Sequence, residues 1–491
     1  MSDVMMVGPG AGSVAEPRSD AELIVRAREL FDRQHRNRPN VRARGARERI
    51  ARLEDLRAAI LAHRPALHQA MAADLGKPYV EVEAIEIQPA LREIAHAARH
   101  LARWMRPRRV PHPLLLAGSR SEIHYEPKGV VLVLGAWNFP FGLVVNPLIA
   151  AVAAGNCVIA RPSEKAPRTA AALEALVASA FPEDEAAVVG GGVPVADALL
   201  ELPFDHFFFT GSGAIGRKVM VAAARHLAGV TLELGGKCPA IVDETADVDR
   251  AADRIVRAKF ANAGQTCIAP DYALVHESLA RRFVARAVDT VARFYGASED
   301  ARRRSADFCR IVDEHAVLRL AALVEAGVAA GARIEIGGRS DPAERYFAPT
   351  ILSGVAPDSP LMEEEIFGPV LPVRTFASLG DAIAEVDARP RPLGLYLFTG
   401  SRRAARAVLQ RTSAGGTVVN EAAIHYFNPD LPFGGVGPSG FGCYHGWFGF
   451  RTLSHERAVL RQGRAGLIPL IDPPYGRRAT RLVDLMRRII R

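Results

Sequence analysis

The stretch Phe207-Phe-Phe-Thr-Gly211-Ser-Gly213-Ala-Ile-Gly216 runs from an apolar segment directly into a glycine-spaced turn, and residues 214–227 beyond it carry a helical apolar pattern. This is a strand, a tight turn and a helix. At such a junction the backbone of Gly211, Ser212, Gly213, Ala214, Ile215 and Gly216, aided by the positive end of the helix dipole, can hold a pyrophosphate. The same unit recurs on both sides. Short apolar runs at residues 130–134, 157–160, 187–189 and 230–234 alternate with helical patterns at 141–154, 167–180 and 195–202. Such alternation predicts an α/β chain whose parallel sheet is covered by helices, a Rossmann-type arrangement.

Past Gly236 a second lobe begins, with β-type runs at 239–242, 272–275, 370–373, 395–398 and 418–420. Within it, Lys259-Phe-Ala-Asn-Ala-Gly-Gln-Thr-Cys267-Ile-Ala-Pro270 places a thiol where an apolar helix runs into Asn262, Gly264 and Gln265. A thiolate adds to carbonyl carbon, and neighbouring N–H groups can stabilise the oxyanion that forms. Cys267 is therefore a candidate nucleophile; a lone cysteine is more often a small core residue, and the other motifs decide. Glu233 lies in the β-type run Val230-Thr-Leu-Glu233-Leu-Gly-Gly-Lys237. A carboxylate in an apolar strand is costly unless used or paired, and burial moves its pKa toward that of a general base. By the general Rossmann spacing, an acid about twenty residues past the glycines, Glu233 could instead bind ribose.

Taken together, Glu233-Leu-Gly-Gly-Lys237, Gly264-Gln-Thr-Cys267, Trp137-Asn138-Phe139-Pro140 and Glu364-Glu365-Ile-Phe367-Gly-Pro369 resemble the NAD(P)-dependent aldehyde dehydrogenase superfamily, in that family's order. The resemblance implies Cys267 as nucleophile, Glu233 as the base that activates water, and the Asn138 side chain with the Cys267 N–H as oxyanion donors. It places Glu365 and Phe367 at the nicotinamide end of the cofactor and, through Arg161-Pro-Ser-Glu164, gives the adenosine ribose to Glu164. The family usually has Lys where Arg161 stands, and Arg offers a fork suited to a 2′-phosphate. NAD is thus the expected cofactor, with NADP usable. Leu431-Pro-Phe-Gly-Gly-Val-Gly-Pro-Ser-Gly440 and Tyr444-His445-Gly446 resemble the class 3 branch, nearest in texture to coniferyl aldehyde dehydrogenase.

The implied reaction oxidises an aromatic or medium- to long-chain aliphatic aldehyde to its carboxylate through a cysteine thioester. Rival readings are a CoA-acylating dehydrogenase, a thiol hydrolase and a non-catalytic binding relative. A homodimer is expected by resemblance. We expect a flexible tail over residues 1–20, a cofactor-binding domain with a helical preface over 21–236, a catalytic domain over 237–430, and a closing segment with a small oligomerisation element over 431–491. Residues 119–127 alternate as a short strand leading toward the core sheet.

Composition narrows the classes. The chain has 491 residues, 49% hydrophobic and 24% charged, enough for two or three lobes of an ordinary globular enzyme. No uncharged apolar run reaches about 18 residues, so no membrane span is expected. The first twenty residues lack a signal peptide's apolar core, which points to the cytoplasm. Five irregularly spaced cysteines argue against a disulfide framework, and the absence of clustered ligands argues against a metal. The net charge of +8 comes from arginines interleaved with acids, which reads as a solvated surface and not a nucleic-acid face. Residues 477–491 form a basic amphipathic pattern suited to a subunit neighbour or a membrane surface.

Overall fold

Asp20–Ala43 is the first helix of the described residues, and it forms because Ser19 and Glu22 close a capping box: Ser19 Oγ accepts from Glu22 N, and Glu22 Oε2 accepts from Ser19 N at 2.7 Å. The structure, a computed structural model, describes residues 18–464 and 466–489. The expected tail over 1–20 lies outside these except for its last three residues. Two more long helices follow, Ala46–Leu75 and Gln88–Trp104, joined by a short π-helical turn, Val82–Ile87.

The predicted strand–helix alternation closes into a six-stranded sheet. Its order is Gly440–Phe441, Gly229–Leu234, His206–Gly211, Val130–Leu134, Cys157–Arg161 and Ala186–Val188. All neighbours pair in parallel except Gly440–Phe441, which runs antiparallel to Gly229–Leu234. The chain moves outward from Val130–Leu134 in one direction, then returns to its other side with His206–Gly211. The crevice between those two strands is a topological switch point, where open α/β sheets bind ligands at the carboxyl ends of their strands. Both the glycine turn at 211–216 and the Asn138 turn emerge there.

Helix Gly142–Ala154 leaves that switch point buried on every face. An all-round apolar helix is stable only inside, where each Val or Leu contributes about 1.5–3 kcal/mol. The second lobe is a seven-stranded sheet ordered Arg333–Ile336, Thr350–Ser353, Val370–Phe376, Tyr272–His276, Pro239–Val242, Gly394–Phe398 and Gly416–Val419. Only its first strand is antiparallel to its neighbour.

One strand expectation is corrected. Ser119–Pro127 does not lead into a core sheet; it is the middle strand of a separate three-stranded antiparallel sheet with Arg108–Val110 and Ser454–Gln462. Its alternating polar residues suit a sheet with wet faces better than a strand buried on both sides. Among the described residues no helix is long and apolar enough to cross a membrane, and no group of three or more metal-ligating side chains occurs.

Candidate active site

Helix Val248–Phe260 is capped by Asp247, and it ends abruptly. Asn262 and Ala263 both have φ of 51°, and Gly264 follows at 74°. Left-handed backbone at non-glycine positions costs about 1–3 kcal/mol each and persists only where the surroundings enforce it. Here buried amides do so. Asn262 Nδ2 donates to Asn138 O at 2.9 Å and to Gln265 O at 3.1 Å; Gln265 Nε2 donates to Asn262 O and Arg310 O, each at 3.0 Å. This turn delivers Cys267 into the wall of an apolar pocket of about 90 Å³. Phe139, Leu143, Ile268, Tyr426, Phe427 and Phe433 line it.

Burial keeps the Cys267 sulfur protonated. Burial pushes the thiol up to about 12, with the carboxylates of Glu365 and Glu233 adding to the rise and the N–H groups of Cys267 and Ile268 opposing it. Glu233 is 3% exposed, and neither carboxylate oxygen has a hydrogen-bond partner among the described residues. Burial alone drives its pKa well above the ordinary carboxylate value. Asn138, 3% exposed, donates through Nδ2 to Gln265 O at 3.0 Å, which leaves its second amide hydrogen free.

Glu365 belongs to the same centre. A Cβ on Gly235 would stand 2.0 Å from Glu365 Oε2, so the carboxylate rests directly on the glycine pair that ends the Glu233 strand. Burial and the neighbouring Asp271 push Glu365 up to about 8, against a backbone hydrogen bond from Gly236 and the charges of Lys259 and Lys237. Phe367, at φ 49°, sets its ring edge-on to Trp137 with centroids 5.5 Å apart. A buried ionic knot anchors this loop: Lys237 Nζ bonds Asp271 Oδ2 at 2.6 Å and Glu364 O at 2.9 Å, while Asp271 Oδ1 accepts from Ile366 N at 3.1 Å. Lys259 Nζ, fully buried, is 3.7 Å from Asp271 Oδ1.

At the other end of the crevice, Ser212 caps helix Gly213–Arg225, its Oγ accepting from Ile215 N, and Gly216 N bonds Ser212 O. That leaves the N–H groups of Gly213 and Ala214 outside the helical ladder, directed at the crevice. A Cβ on Gly213 would meet nothing within 4 Å, whereas one on Gly216 would meet Leu234 Cδ2 at 2.9 Å. The first glycine opens space for a ligand and the last lets helix and sheet pack closely. With Gly213 in place the turn and its Ser212 cap are intact. Arg161 and Glu164 do not face each other as rivals, because Arg161 Nη2 donates to Glu164 Oε2 at 2.8 Å. The same nitrogen also donates to Gly191 O at 2.8 Å and Gly192 O at 3.1 Å.

The sequence reading named Asn262 only as part of the helix break and gave no role to Lys259, Asp271 or Tyr426. A signal existed for two of them: Lys259 and Asp271 are charges inside apolar runs, the same cue that marked Glu233. Asn262 and Tyr426 carry no comparable cue, since their roles depend on a left-handed turn and on a distant loop.

A model of the aldehyde dehydrogenase family matches residues 16–459. The chain is 44% identical to 4,4'-diaponeurosporen-aldehyde dehydrogenase of Staphylococcus aureus over 87% of this chain and 92% of that protein. It is 42% identical to aldehyde dehydrogenase family 3 member B1 of Homo sapiens over 90% of this chain and 93% of that one. A solved structure of the substrate-bound state of Staphylococcus aureus AldH superposes with a TM-score of 0.88 at 40% identity, covering 94% of this chain and 99% of that chain. The chain is an oxidoreductase belonging to the aldehyde dehydrogenase family, with relatives in its class 3 branch.

Proposed function

We propose that the protein oxidises an apolar aldehyde, aromatic or medium- to long-chain aliphatic, to its carboxylate with NAD(P)+, through a thiohemiacetal and then a thioester on Cys267. The observation that carries this reading is Glu233: a carboxylate with no partner, buried beside the thiol and pushed well above its ordinary pKa, is built to take a proton. Cys267 gives its proton to solvent water as its sulfur bonds the carbonyl carbon. The free amide hydrogen of Asn138 and the Cys267 N–H hold the oxyanion. When bound, the nicotinamide cofactor supplies the acceptor for the hydride that leaves this carbon. Glu233 then takes a proton from water, the hydroxide adds to the thioester carbon, and the carbon–sulfur bond breaks to return the thiolate and release the acid.

The residues fit such a cofactor. The unladdered N–H groups of Gly213 and Ala214 suit a pyrophosphate, Glu164 suits ribose hydroxyls, and Glu365 with Phe367 suits the nicotinamide end. Residues 21–236 are taken as the cofactor-binding domain, 237–430 as the catalytic domain and 431–491 as the closing segment. The apolar side chains lining the pocket, Phe139, Leu143, Ile268, Phe427 and Phe433, favour an apolar aldehyde. The outer edge of Ser454–Gln462, nine residues long, is unpaired among the described residues. Such an edge suits a second copy of the chain. Light scattering checks the dimer.

A panel of aromatic and aliphatic aldehydes with NAD+ or NADP+, followed at 340 nm and with the acid product quantified, tests the reaction. Equal rates of NAD(P)H and acid formation without CoA support it. Product formation only with CoA would instead favour the acylating reading.

A further inference from the structure

The buried helix Gly142–Ala154 has both ends closed by charges that come from the N-terminal helices. At its C-terminal end Arg49 Nη1 donates to Ala154 O at 2.6 Å, and at its N-terminal end Glu86 Oε2 accepts from Phe141 N and Gly142 N at 3.0 and 3.1 Å. Each sign complements the helix dipole, and both side chains are buried. The N-terminal closure has a consequence that the C-terminal one lacks. Phe141 is three residues from Asn138, so Glu86 holds the segment that aims the oxyanion donor.

Glu86 does not act alone. Its Oε1 accepts from Lys77 Nζ at 2.5 Å, and that ammonium also stands over the Phe139 ring, 4.1 Å from its centroid. The pair thus grips residues 139–142 through a ring on one side and two N–H groups on the other. Both side chains are at most 1% exposed, an arrangement that is costly unless each charge is fully used.

Glu86 sits in the π-helical turn Val82–Ile87. In an α-helix, residues five apart point about 140° away from each other. A π turn is wider, and such turns occur mostly at functional sites. This one draws Glu81 and Glu86 toward one side. Glu81 Oε2 accepts from Asn262 N at 2.9 Å and from the Cys309 thiol at 3.2 Å. Asn262 is the first residue of the left-handed turn that delivers Cys267. One helical segment therefore reaches both halves of the oxyanion site, Asn138 through Glu86 and the cysteine turn through Glu81.

We propose that Lys77, Glu81 and Glu86 are positioning residues for the oxyanion hole: Glu86 sets Asn138, Glu81 sets the turn bearing Cys267, and Lys77 supplies the cation that lets two carboxylates share this dry space. The inference rests on Asn138 being the oxyanion donor, as read above.

The test uses p-nitrophenyl acetate, whose acyl group transfers to Cys267 without cofactor. The burst amplitude counts working sites, and the burst rate constant reports acylation per site. Glu86→Gln, Glu81→Gln and Lys77→Met are each expected to slow that rate constant about tenfold, less than the loss of a donor itself. Lys77→Arg should recover most of the rate. In an Asn138→Ala background, Glu86→Gln should add almost nothing, because its effect passes through the missing amide. Should Glu86→Gln not fold, Glu86→Asp keeps the charge, withdraws it from both N–H groups, and carries the same expectation.

A wild-type rate constant per counted site, or full additivity with Asn138→Ala, overturns the inference even if thermal stability falls. Unchanged acylation in Asn138→Ala alone overturns the oxyanion assignment, and the inference with it.

Discussion

Glu233 lies on one strand of the six-stranded sheet and Glu164 in the turn just past another, and their surroundings push them in opposite directions. Glu233, inside Gly229–Leu234, has no partner and is raised by burial. Glu164 follows Cys157–Arg161 and stays part-exposed. Burial would raise it too, but its own backbone N–H and the Arg161 guanidinium outweigh that and hold it below the usual carboxylate range. The first carboxylate is therefore poised to exchange a proton, whereas the second is a permanent acceptor. Two carboxylates of one fold are assigned different work by their neighbours alone, as is general where environments separate pKa values.

The sharpest break in this comparison is to remove what Glu233 serves. Cys267→Ala should abolish aldehyde oxidation by about a thousandfold or more, since no thioester can form, while cofactor affinity measured by fluorescence stays near wild type. Retained turnover would mean that the thiol is only a packed side chain.

Next comes Glu233 itself. Glu233→Gln should lower steady-state turnover by about a hundredfold to ten-thousandfold but keep one burst of NAD(P)H per site, because acylation precedes the need for activated water. The pH sign follows from its raised pKa: hydrolysis requires the ionised form, so deacylation-limited turnover in the wild type should climb with pH beyond the ordinary carboxylate range. Glu233→Gln should flatten that limb. Weakened cofactor binding with normal deacylation would transfer the ribose role to Glu233 and reverse the comparison.

Smaller effects are expected at Glu164. Its ion pair with Arg161 masks part of the carboxylate's charge, so discrimination against a 2′-phosphate should be modest. Glu164→Gln should move the kcat/KM ratio toward NADP+ by about tenfold, and Arg161→Ala should move it toward NAD+ by unmasking the carboxylate. If neither changes the ratio, the adenosine ribose is held elsewhere.

The smallest effect tests Glu365 as a third member of the set. It is pushed up to about 8, so it is neutral at pH 7 and charged at pH 9, where its charge adds to the rise of the Cys267 thiol. Glu365→Gln should then speed iodoacetamide labelling of Cys267 about threefold at pH 9, with no change at pH 7. An equal effect at both values would show that Glu365 acts on the thiol by packing and not by charge.

Local cues made much of this legible. The period-2 and period-3.6 patterns named the parallel sheet, because strand burial on both faces and helix amphipathicity leave marks on consecutive residues. The glycine turn at 211–216 is equally local, and it stands where the sequence put it. Ser119–Pro127 was misplaced because alternation states that a strand has two unlike faces but not which sheet it joins.

What the sequence by itself determined is the chemistry on offer: a thiol in a broken helix, a carboxylate in an apolar strand, and glycines where a strand becomes a helix. Tertiary structure alone decided how those groups differ in state. Whether a carboxylate is orphaned like Glu233, paired like Glu164, or bonded to backbone like Glu86 depends on contacts made by residues far apart in the chain. Glu86 meets Phe141 across 55 positions, and Glu81 meets Asn262 across 181. Desolvation and charge pairing act through space over a few ångströms, so no pattern of neighbours along the chain can encode them.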